Sequence, residues 1–125
     1  MSRRDALDLR DYLEHMLQAS DRVQRYLHGM DRADFLADEL RQDAVLRNFE
    51  VLGEAAWNVH RHFPDVVAAH PGIQWKAMYG MRNVLAHRYF RVDLDAVWAA
   101  AESALPGVQE RLAALLDEME DPDAR

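Results

Sequence analysis

At 125 residues, the chain is long enough for one domain that buries roughly two-thirds of its unfolded surface. Half of it is hydrophobic and 30% is charged, which is too apolar for intrinsic disorder. With no cysteine, disulfides, thiolate metal sites and a cysteine nucleophile are excluded; a net charge of −7 argues against unselective coating of nucleic acid, which rests on neutralising phosphates.

The opening MSRRDALDLRDYLEH carries charges where a signal peptide needs an apolar centre. No uncharged apolar run approaches the roughly 20 residues of a membrane span. The expected address is therefore cytoplasmic, with no membrane partner. The periodicity is helical almost throughout. Asp5 is a candidate N-cap for a first helix in which Leu9, Tyr12, Leu13, Met16, Val23 and Leu27 recur near helical spacing. His28-Gly29 should end it, because glycine accepts the left-handed conformation that closes helices. Asp31 or Asp34 can cap a short second segment carrying Phe35, Leu36 and Leu40.

The clearest helix follows. Val45, Phe49, Leu52, Ala56, Val59 and Phe63 form a stripe at alternating steps of four and three, as in helix bundles. Gly53 within it suggests a close helix approach. Pro64 should end this helix, and a loop through Pro71-Gly72 should lead into IQWKAMYGMRNVLAHRYF, whose Ile73, Ala77, Gly80 or Met81, Val84 and Leu85 fit one face. Asp93 should cap the last long element, with Leu94, Val97, Trp98 and Leu105 inward and a kink at Pro106-Gly107. Val108, Leu112, Leu115, Leu116 and Met119 resume its stripe. The expectation is an all-α, up-and-down bundle of four long helices and one short one, a single domain over residues 1–120 with a frayed tail at 121–125.

Charge is unevenly placed along this bundle. The 27 residues from Val66 to Val92 hold no acid but four cations, Lys76, Arg82, Arg88 and Arg91, so the remaining 98 residues sum to −11. An acidic body with one basic segment can focus an anionic ligand onto one place. Within that segment stands Arg82-Asn83-Val84-Leu85-Ala86-His87-Arg88-Tyr89. Arginine offers a rigid fork of donors matched to phosphate. Histidine moves protons near neutral pH. Tyrosine can donate a hydrogen bond, stack on a base or accept a transferred group, and Asn83 can orient a neighbour. At about 100° per residue, positions 82 and 89 nearly coincide on a helix while 82 and 87 lie about 140° apart. Flexible reach, an unwound end near Tyr89 or a second copy of the chain would bring the last two together. On residue types alone, an amphipathic helix with a satisfied core histidine and solvated arginines stays open.

The pattern Arg-x4-His-x-Tyr, with AVLRNFEVLGEAAWNV at 44–59, HPGIQWKAMYGMRNVLAHRYF at 70–90 and the following VDLDAVWAA, resembles HEPN-domain proteins of the HepT type over roughly residues 5–116. The resemblance implies a HEPN-like helical homodimer and a metal-independent endoribonuclease without cofactor. Arg82 and His87 would be catalytic, with Asn83, Arg88 and Lys76 supporting the RNA substrate. It also implies a toxin of a type VII toxin–antitoxin pair, neutralised by an MNT-type minimal nucleotidyltransferase antitoxin that can transfer AMP to Tyr89. The alternative is a non-catalytic binding subunit of such a nucleotidyltransferase.

Other residues carry weaker signals. His60, His62 and His70 lack the spacing and companions of a metal site; the first two read as surface or interface groups near a loop. Trp57, Trp75 and Trp98 could stack on bases, but their apolar surroundings at helical spacing favour the core for all three.

Overall fold

The computed structural model describes residues 2–87 and 92–120, with the side chains of residues 7 and 82–87 outside the description. Helix α1 spans Arg3–Leu27 and is capped by Ser2, whose side chain accepts from the Asp5 backbone N–H at 3.0 Å. The expected cap, Asp5, instead lies in the first turn, where its charge complements the helix dipole. Leu9, Leu13, Met16 and Val23 are buried along one face. Ser20, buried among them, donates to the Met16 carbonyl at 2.8 Å, so its hydroxyl is not left unsatisfied. Gly29 ends the turn at φ +77°.

Helix α2 (Arg32–Leu36) carries a complete capping box, Asp31 and Asp34 each accepting from the other's backbone N–H. Its Phe35 is wholly buried, 5.7 Å from the Trp98 ring. Helix α3 (Glu39–His62) is capped by Asp38, which accepts from the Arg41 N–H at 3.0 Å. The expected stripe from Val45 to Val59 is buried, as is Gly53, and Phe63 is half-buried at the end. The stretch after Pro64 is not simply a loop. It opens with helix α4 (Pro64–Ala69), with the proline at the first helical position, where a missing N–H costs nothing.

Helix α5 (Trp75–His87) follows, then α6 (Leu94–Ala99), a π-helical turn (Ala100–Ala104) and α7 (Leu105–Glu120). Asp93 caps α6 as expected, accepting from the N–H groups of Asp95 and Ala96. On α5, among the residues whose side chains are described, Trp75 and Met78 are buried and the expected Ala77 is exposed, while Val84 and Leu85 lie outside the description. Pro106 does not break the last helix. In a regular α-helix its ring would meet the Glu102 carbonyl. Here the turn just before it is widened, with Leu105 N–H reaching the Ala100 carbonyl, five residues back.

α3 is the central helix, packed against α1 on one side and α5 on the other, while α7 packs on α1 and α2 bridges α3 and α6. The ends of α1 and α7 are tied by Arg10 to Glu120 at 3.0 Å. Among the described residues there is no strand, and no helix is long and apolar enough to cross a membrane. The fold is an all-α bundle; among the described residues the short helices are α2, α4 and α6, where one was expected, and α6 runs on through the π-helical turn into α7.

Candidate functional site

The basic segment enters the bundle through Trp75. Its side chain is 3% exposed and its indole Nε1 donates to the His70 carbonyl at 3.0 Å. Its backbone N–H donates to the Ile73 carbonyl at 2.9 Å. A large ring buried with its one donor satisfied anchors the start of α5.

From that anchor the helix runs unbroken to His87, so Arg82, Asn83 and His87 all stand on helical backbone in its last two turns. Their side chains, and the whole of Arg88 and Tyr89, lie outside the described residues. So does the unwound end expected near Tyr89. Lys76 is exposed on the first turn. The described residues fix the helical register. Position 82 follows the buried Trp75 and Met78 at i+7 and i+4. Positions 83 and 87 follow the half-buried Tyr79 at i+4 and i+8. Continuous helix therefore keeps positions 82 and 87 about 140° apart, and one copy of α5 does not by its backbone bring them together.

The Tyr79 side of α5 meets the outer face of α3 in a group of three rings. Trp57 and His60 lie 5.6 Å apart between centroids, Trp57 and Tyr79 5.3 Å, and His60 and Tyr79 5.0 Å. His60 is tilted 34° to Trp57 and 33° to Tyr79, while Trp57 and Tyr79 meet at 66°. Trp57 is 36% exposed, and the other two are half-buried. The core position expected for Trp57 is thus corrected. It follows Ala56 by one residue, which turns it about 100° away from the buried stripe. Trp75 is core as expected, and Trp98 is half-buried against Phe35.

Sequence reasoning missed this ring group. Part of the signal was present, since His60 follows Trp57 by three residues and so shares its face. The contribution of Tyr79 depends on how α5 lies on α3, which no local pattern reveals. His62 is exposed beside Asp5, Asp8 and Asp65. Glu54 is exposed on α3, one turn before Trp57. Among the described residues, no three histidine, aspartate or glutamate side chains converge as a metal site requires.

The family model described as ribonuclease HepT-like matches residues 16–115, a span that takes in all of α5 and the three rings. A protein of Thermococcus cleftensis named "Probable ribonuclease HepT" is 34% identical over 80% of this chain and 88% of its own length. A protein of Methanocaldococcus jannaschii named "Gamma-glutamylcyclotransferase and putative RNase" is 30% identical over 90% of this chain, which spans half of that longer relative. One from Caldanaerobacter subterraneus, 31% identical over 86% of this chain and 93% of its own length, carries the same qualified RNase name. No solved structure matches the chain. With four-fifths of its length under one family model and relatives of similar size at this identity, the chain belongs to the HepT-like ribonuclease family of HEPN proteins.

Proposed function

We propose that the chain is a metal-independent endoribonuclease whose reaction is carried by Arg82 and His87. The family match across residues 16–115, including all of α5, carries this reading. An RNA 2′-hydroxyl supplies the nucleophile. His87 accepts its proton as the oxygen attacks the adjacent phosphorus, and the 5′-oxygen leaves with a proton from an acid, giving a 2′,3′-cyclic phosphate. Arg82 binds the phosphate and offsets the charge that builds on it. Asn83, Arg88 and Lys76 support the strand. Because positions 82 and 87 diverge on a straight helix, the proposed active form is a homodimer in which two α5 segments face each other and each supplies what the other lacks.

In the same reading the protein is a toxin held inactive by a minimal nucleotidyltransferase. The Tyr89 phenolic oxygen attacks the α-phosphate of ATP, AMP is transferred and pyrophosphate leaves. The acidic body, −11 outside residues 66–92, favours a second reading, a non-catalytic docking subunit for that transferase.

Cleavage of end-labelled RNA by the purified protein in excess chelator separates the two. The nuclease reading expects cyclic-phosphate ends, resistance of a strand carrying deoxyribose at the cut site, and losses of roughly 100-fold or more in Arg82→Ala and His87→Ala. Full activity in both variants, or no cleavage by wild type that still co-purifies with a nucleotidyltransferase, overturns it.

A further inference from the structure

We propose that Trp57, His60 and Tyr79 form a stacking platform for an unpaired RNA base, seated beside the α5 motif. This rests on the ribonuclease reading and specifies how the substrate is gripped. Three rings lie within 5.0–5.6 Å of one another, and Trp57 is 36% open to solvent, so the group presents a π-face at the surface. Nucleobases stack on such faces whatever their identity, because every base has a π-face.

The surroundings suit a strand with a charged backbone. Lys76 precedes Tyr79 by three residues on α5, and Arg61 follows Trp57 by four on α3, so each cation shares a helix face with a platform ring. Both are exposed, and neither is held in an ion pair among the described residues. Along α5, position 83 follows Tyr79 within about 40° and about 6 Å further along the axis, while positions 82 and 87 flank that line at about 60° and 80°. A strand stacked on the rings and tracking α5 therefore passes position 83, with positions 82 and 87 to either side of its path. A second copy of this chain is a poorer occupant. The homodimer proposed above is centred on positions 82 and 87, about one to two turns beyond Tyr79, which leaves the rings to the substrate.

The probe is a fluorescent single-stranded oligoribonucleotide with every 2′-hydroxyl methylated, so that binding is read without cleavage. Fluorescence polarisation should show Trp57→Leu weakening the complex about 10-fold or more, since a stacked base is worth about 1–3 kcal/mol. Trp57→Phe, which keeps a π-face, should retain most of the affinity, and Tyr79→Leu should lose it as Trp57→Leu does. Matched thermal melts check that the variants fold.

Wild-type affinity in both leucine variants overturns the platform. So does a change in sedimentation mass on Trp57→Leu, which would assign the rings to self-association. The two readings fail separately. Trp57-dependent binding without cleavage of unmethylated RNA leaves the platform standing and removes the nuclease. Cleavage dependent on Arg82 and His87, with binding indifferent to Trp57, does the reverse.

Discussion

At Gly29 the backbone takes φ +77° in the turn between α1 and α2, a conformation that a Cβ makes costly. Nothing else crowds the position, since a Cβ built there meets no atom within 4 Å. Strain alone therefore sets the penalty. Gly29→Ala should lower stability by about 1 kcal/mol in urea unfolding, with an unchanged slope. A neutral substitution would mean that the turn relaxes into another conformation. Glycine in such a turn was readable from the chain itself. The tryptophans were not readable to the same degree. Trp57 and Trp75 both stand among apolar neighbours, yet one is open and the other sealed. The difference comes from a phase of about 100° on α3 and from a carbonyl, that of His70, waiting for the indole of Trp75.

α2 is five residues long, too short to be stable as an isolated helix, so something must dock it. Two contacts with α6 are candidates, the ion pair of Arg32 with Asp95 and the packing of Phe35 beside Trp98. The ion pair is more than half exposed on both sides, and such pairs contribute below about 1 kcal/mol. Emptying the wholly buried Phe35 site removes about 3–5 kcal/mol. The apolar contact wins. Phe35→Ala should lower the melting temperature by several degrees or more, whereas Arg32→Ala should shift it by little and less still in high salt. Equal losses in the two variants would reverse that ranking.

The long elements were legible because stripes such as Val45 to Val59 repeat at helical spacing, whereas the caps were less so, α1 being capped by Ser2 rather than Asp5. α4 was hidden because Pro64 both closes α3 and opens the next turn. The π-helical turn left no periodic trace, only the proline that it accommodates.

For the whole molecule, the question is where an anionic strand can lie on a chain of net charge −7. Four cations without an intervening acid occupy residues 66–92, and the rest of the chain sums to −11. That imbalance was visible in the sequence, as was the motif within it. The meeting of α3 and α5, which sets exposed Lys76 and Arg61 about the three rings, required the fold. If RNA lies along α5, few phosphates can be neutralised, and the acidic body repels any strand that strays. Single strands release counterions at about 0.7 per contact, so the plot of log affinity against log salt should have a slope near −3 for four contacts. Lys76→Ala should make that slope shallower by about 0.7 and weaken binding to all sequences alike. Polarisation titrations of the methylated oligonucleotide across a salt series measure both. A slope much steeper than −3 would place the strand on arginines elsewhere in the bundle, and a slope near zero would remove the phosphate backbone from the contact altogether.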